Sequence, residues 1–283
     1  MNAIGVSTWL WVSPLNDVDL ARLAPVVKGW GFDVIELPIE QPADWDPARA
    51  APILRDLGLG ATTCAVMTPE RDLTTSDRAM REATADYLCR CVDIAAAVGS
   101  GVVAGPMYAP VGKLEHIDAA ERATRVARVA EGLRPVADYA QEHGVRLALA
   151  PLNRFETSLI NTMDQALEVI SLVGSAGLGV CLDTFHLNIE EKDPAAAVRA
   201  AGSHVAHVQA CGTDRGTPGE DQFGWSRFIA ALGDVGYVGP VCIESFTAAN
   251  ASLARSASIW RPLAPSADAL AIDGLAFLKG ILR

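Results

Sequence analysis

Eight short apolar runs recur along this 283-residue chain, separated by stretches of helical periodicity. IGVST (4–8), VIELP (34–38), GLGATTCAV (58–66), GVVAGP (101–106), VRLALA (145–150), LGVCLD (178–183), HVAHVQA (204–210) and GPVCIES (239–245) read as strands. Most are nearly continuous in apolar residues, the pattern of strands covered on both faces. Between them, residues 78–98 place Tyr87, Cys91, Ile94, Ala95 and Val98 on one helical face, with Gly99 as the expected C-cap. Residues 117–143 repeat the pattern with Val126, Val129, Leu133, Val136 and Ala140, ending at Gly144. Such alternation implies right-handed βαβ units, and eight of them in about 250 residues make a (β/α)8 barrel. The chain is therefore predicted to be α/β, a single TIM-barrel domain over residues 1–283. Its C-terminal helices, over about 250–282, are expected to pack on the barrel or at an interface. A doubly wound open sheet would need a Gly-rich phosphate loop after the first strand, and STWLWVSPL has none.

Composition narrows the function. Half of the residues are hydrophobic, enough for a sizeable core, and the net charge of −11 repels phosphate backbones, so nucleic acid is not expected as a partner. No apolar run approaches the roughly 20 residues that span a bilayer, and MNAIGVSTWLW has neither a basic flank nor a small-residue cleavage site. A cytoplasmic protein without membrane attachment is expected. Of the six cysteines, Cys64, Cys181 and Cys242 lie inside apolar runs, where a reduced thiol behaves as a small hydrophobe. Cys89 and Cys91 point to different faces of one helix and cannot grip an ion together.

The active site of such a barrel lies at the C-terminal ends of its strands. The ends of strands five to eight are Ala150, Asp183, Gln209 and Glu244. Any one of them would be unremarkable, since polar groups often close a strand. Three oxygen donors and one methyl at equivalent positions suggest a metal site short of one ligand. Two carboxylates with an amide oxygen suit Mn²⁺, Mg²⁺ or Co²⁺ better than a thiolate-seeking metal.

LNRFETSLINT (152–162), LDTFHLNIEE (182–191), DRGTPG (214–219) and IESF (243–246) carry a further signal. Together they resemble the sugar phosphate isomerase/epimerase superfamily, the xylose isomerase-like TIM barrels. Within it they are most similar to the ketose 3-epimerases acting on tagatose and allulose, over almost the whole chain. The resemblance implies a (β/α)8 barrel binding a divalent ion, commonly Mn²⁺, through Glu, Asp, His and Glu. Asp183 matches the Asp and Glu244 the final Glu. The His falls on Gln209, which keeps a carbonyl oxygen; the first Glu falls on Ala150, which cannot bind anything. The implied reaction is proton exchange beside a ketose carbonyl through an enediolate, one carboxylate removing the proton and another returning it on the opposite face. Glu244 would be one partner and position 150 the other, so the pair is broken. Loss of a general base costs about 10²–10⁴-fold, so impaired activity is expected. Either the chain has given up two-base chemistry or it was altered at position 150 to hold a ligand; its intact surroundings favour the second.

The same motifs nominate substrate contacts. Glu156 is expected to hold a sugar hydroxyl, and His186 to bind a sugar oxygen or to orient Asp183. Arg215 has a fork suited to vicinal hydroxyls or a carboxylate. Glu36 would support His186 or the substrate, and Trp9, or else Trp11, would wall the pocket. Each has a purely structural alternative: loop carboxylate, core histidine, surface turn or packing residue. Asn153 and Arg154 read as loop scaffolding, and His116, His143, His204 and His207 receive no role.

Two other functions remain open. Related barrels are lyases that cleave 3-keto C-glycosides by the same proton abstraction, with a small partner subunit; a non-catalytic sugar-binding protein is the other. The superfamily's DNA-repair endonucleases use His-rich zinc sites and basic surfaces, unlike this acidic chain with five histidines. Leu270, Leu275, Phe277 and Leu278 on the last helix are expected to be partly exposed and to favour a homo-oligomer.

Overall fold

A computed structural model describes residues 2–246, 248 and 251–282. Along them run β1 (Ile4–Ser7), α1 (Asp17–Trp30), β2 (Val34–Ile39), α2 (Pro47–Leu57), β3 (Gly60–Ala65), α3 (Arg78–Ala97) and β4 (Val102–Gly105). They continue through α4 (Ala119–Glu142), β5 (Arg146–Leu149), α5 (Met163–Val173), β6 (Leu178–Asp183), α6 (Thr184–Glu190) and α7 (Pro194–Ala201). The series closes with β7 (Val205–Ala210), α8 (Trp225–Asp234), β8 (Val241–Ile243), α9 (Ala251–Ser256) and α10 (Ala267–Ile281). All eight strands are parallel and pair in chain order, and β8 returns to β1 through Ile4↔Val241, Gly5↔Cys242 and Val6↔Ile243. The closed (β/α)8 barrel expected from the alternation is what the chain forms.

Local chemistry sets the element ends. The sixth strand coincides with LGVCLD, whereas the third starts two residues later than GLGATTCAV because Gly58 closes α2 in the left-handed region at φ +59°. Asp77 starts α3 by accepting the N–H groups of Ala79 and Met80, and Asp118 starts α4 by accepting that of Glu121. The apolar faces expected for both helices are buried against the barrel. Val98 rather than Gly99 is the C-cap of α3, and Gly99 follows it at φ +73°. The start expected for the helix near 250–260 falls on residue 250, outside the described residues.

One expectation is corrected. Leu270, Leu275 and Leu278 are buried, and Phe277 packs edge-on to Trp225 with ring centroids 5.3 Å apart. Their face of α10 lies on β1, β8 and α8 of the same chain, so it is core and not a surface for a second copy. The large core fills the space between the helices and the barrel wall. Inside the barrel a smaller cluster joins Cys64, Val102, Ala104, Ala148, Ala150, Leu152 and Cys181. All six cysteines are free thiols. Among the described residues, no helix is long and apolar enough to cross a membrane.

Candidate active site

Strand geometry gathers the polar ends. Asp183 is the last residue of β6 and pairs in register with Gln209 of β7, which pairs in turn with Cys242 of β8. Glu244 follows β8 by one residue and Ala150 follows β5 by one. All four line one cavity of about 480 Å³, together with Trp9, Cys64, Leu152, Glu156, His186, Arg215 and Phe246. Of the residues expected at the site, only Glu36 lies off this surface.

Arg215 occupies the centre. Its backbone turns through φ +69° in the DRGTPG segment, held by its own N–H donating to the Gly212 carbonyl and by Ser245 Oγ donating to its carbonyl. The guanidinium lies between the rings of Phe185 and Phe246, 4.4 and 5.2 Å from their centroids. Its Nη1 donates to Asp183 Oδ2 at 2.7 Å and to Glu244 Oε2 at 2.9 Å. Asp183 is held at both ends, because its Oδ1 accepts the Phe185 N–H that opens α6. A side chain 4% exposed thus bridges two buried carboxylates.

The electrostatics separate those carboxylates. Burial alone would raise both, but Arg215 outweighs it at Asp183, which lies below the usual Asp range. At Glu244, burial is reinforced by the negative charges of Asp183 and Glu36, and Arg215 offsets them only in part, so this carboxyl is held well above the usual range. Burial, with Arg215 beside it, lowers His186 and keeps the ring neutral. The Asn153 backbone N–H can only donate, and it meets His186 Nδ1 at 3.0 Å, so the ring proton sits on Nε2. That Nε2 is 2.9 Å from Arg215 Nη2.

Gln209 has a defined amide orientation. One end of its side chain faces Glu244 Oε1 at 2.7 Å and Glu36 Oε1 at 3.1 Å, so that end is the NH₂ donor. Its carbonyl oxygen accepts from the Cys181 thiol at 3.3 Å. The four-ligand ion site implied by the motifs therefore does not fit these side chains: position 150 offers a methyl, the amide oxygen is engaged elsewhere, and a guanidinium spans the carboxylates. Among the described residues, two other trios bring one possible ligand atom each within 4.8 Å of one another, Glu36–Cys64–Glu244 and Glu36–His207–Cys242. Both include a thiol that burial holds well above its usual range, in the protonated form that ligates poorly.

The remaining positions are as informative. Glu156 accepts from Asn153 Nδ2 at 2.8 Å, and Trp9 donates to Glu40 at 3.3 Å while packing on Phe246. Trp11 instead reaches Asp268 on α10. Glu36 does not support His186: it lies mid-strand, fully buried, and binds His207 Nε2 at 2.6 Å besides Gln209. His207, given no role from sequence, thus anchors the acid that orients Gln209, and Asn153, read as scaffolding, sets the tautomer of His186. The period-2 spacing of His207 and Gln209 places both on the inward face of β7, and that signal was available in HVAHVQA.

Comparison with known proteins agrees with this architecture. Residues 25–280 match the family model described as xylose isomerase-like TIM barrel. A probable ketose 3-epimerase of Synechocystis sp. is 36% identical over 97% of this chain and 95% of its own. A solved L-ribulose 3-epimerase superposes with a TM-score of 0.93 at 31% identity, covering 100% of this chain and 95% of that one. The D-allulose 3-epimerase of Methylomonas sp., solved in complex with D-allulose, gives 0.91 at 28% identity, covering 99% and 97%. The chain belongs to the xylose isomerase-like TIM barrel family, alongside the ketose 3-epimerases.

Proposed function

We propose that this chain is a sugar epimerase/isomerase that exchanges the proton on the carbon beside the carbonyl of a small ketose. The carrying observation is the convergence of Asp183, Gln209, Arg215, His186 and Glu244 over one cavity whose facing wall, at Ala150, is a methyl group. Glu244 serves as the acid/base. Raised above the ordinary carboxylate range, it is a stronger base than a free Glu and is better matched to neutral pH. It takes the carbon-bound proton, the bonding pair moves into the enediolate with charge on the carbonyl oxygen, and Glu244 returns the proton. Glu156 and Trp9 hold the sugar, the first by a hydroxyl and the second by its C–H face.

Mn²⁺, with Mg²⁺ or Co²⁺ as the other hard ions, is what the family resemblance implies. Asp183 and Glu244 are the two family ligands retained at their own positions, and no step is routed through an ion here. Six free thiols suit a reducing, cytoplasmic setting. Nothing on the opposite face returns a proton, so inversion is slow. Ala150→Glu supplies that second base and is expected to raise the epimerisation of D-allulose or L-ribulose by about 10²–10⁴-fold. Equal rates in the two proteins would contradict the assignment of position 150. Cleavage of a 3-keto C-glycoside in place of epimerisation would make the chain a lyase, and sugar binding without turnover in either protein would make it a binding protein.

A further inference from the structure

We propose that Arg215 and the Nε2–H of His186 together take over the task of a divalent ion in this site, so that the chain holds its substrate's oxygens without metal. The identity of those oxygens rests on the ketose reading above; the claim about the cation does not.

Three observations carry the inference. The first is charge placement. Arg215 Nη1 lies 2.7 and 2.9 Å from oxygens of Asp183 and Glu244, where it pairs the two acids that an ion would otherwise bridge. The turn at φ +69° and the flanking rings of Phe185 and Phe246 fix the guanidinium there.

The second is the loss of competing ligands on two different strands. Ala150 packs its methyl with Cys64, Ala148, Leu152 and Cys181, and Gln209 turns its NH₂ toward Glu36 and Glu244 with its oxygen on the Cys181 thiol. A donor amide there supports the carboxylates directly, where an ion would require an acceptor. Changes at both positions that fit the same arginine point to an adapted site more than to one altered residue.

The third is a pair of donors with no acceptor between them. With the His186 proton on Nε2, that N–H and the Nη2–H of Arg215 face the same space 2.9 Å apart. Donors brought together in this way favour an intervening oxygen, and most of all one that gains negative charge. The carbonyl oxygen of a ketose becoming an enediolate is such an oxygen, and a planar guanidinium with an imidazole N–H can hold it as an ion would.

Metal content decides the matter independently of any turnover. The full chain is incubated with Mn²⁺, dialysed and assayed by elemental mass spectrometry, and its thermal midpoint is recorded with EDTA and with Mn²⁺. Wild type is expected to retain less than about 0.1 equivalent of Mn²⁺ and to shift by under about 1 °C between the two conditions, since a ligand that does not bind the folded state does not stabilise it. The double variant Ala150→Glu, Gln209→His is expected to retain about one equivalent and to rise by about 4 °C or more with Mn²⁺. Arg215→Ala removes the competing cation, so it should bind Mn²⁺ more tightly than wild type. One equivalent held by wild type, or a midpoint lowered by EDTA, overturns the proposal. So does weaker Mn²⁺ binding by folded Arg215→Ala. If that variant does not fold, the wild-type metal content still decides.

Discussion

His186 shows how a single residue's chemistry is set by its neighbours. Asn153 fixes its tautomer, and burial keeps the ring neutral in the folded chain. An unfolded histidine takes up a proton as pH falls through about 6.5. The folded ring resists, so over the interval down to its lowered folded value the unfolded chain binds more protons and stability falls. The thermal midpoint of wild type should therefore drop more between pH 7 and pH 5 than that of His186→Gln. Equal slopes would mean that the ring is not held neutral. At this scale the strand-end residues Asp183, Gln209 and Glu244 were legible in sequence, because their positions follow from where apolar runs stop. Their partners were not. The Cys181–Gln209–Glu36–His207 chain crosses four strands, and its members become neighbours only when the barrel closes. The expectation that Gln209 would offer its oxygen to an ion rested on residue type, whereas its orientation depends on two acids facing one end of the amide.

Elements read well from periodicity, and less well where a single residue decides the boundary or the approach. The helices over 78–98 and 117–143 are α3 and α4 within a residue or two, because their apolar faces are continuous and their N-caps are Asp. The last helix was also legible, but which surface its leucines cover depends on the placement of α10 against β1 and β8 and cannot be read from spacing. Glycine provides a sharp test of packing between elements. A Cβ at Gly177 would lie 1.9 Å from the backbone oxygen of Ala137 on α4, so Gly177→Ala must push α4 away from the start of β6. Gly29, on α1, would meet nothing within 4 Å. Urea unfolding should show Gly177→Ala to be destabilised by about 3 kcal/mol or more, as overpacking against a rigid neighbour requires. Gly29→Ala should gain about 0.5–1 kcal/mol from its better helix propensity. The same sign for both would contradict the packing described for β6 and α4.

For the molecule as a whole, eight short parallel strands bring residues 183, 209, 215 and 244 into contact by closing into a ring. Alternation in the sequence was enough to imply that closure, since buried parallel strands and amphipathic helices of these lengths have few other ways to cover one another. The ring makes the active site one-sided: acid, amide and guanidinium gather on the ends of β6 to β8, and the facing end of β5 presents a methyl. This asymmetry separates proton exchange from inversion, and one NMR experiment in deuterated water measures both. With D-allulose as substrate, deuterium should enter at the reacting carbon, with retention, faster than the epimer accumulates. Epimer appearing as fast as deuterium is incorporated would show that a second group returns the proton on the opposite face and would contradict the one-sided site.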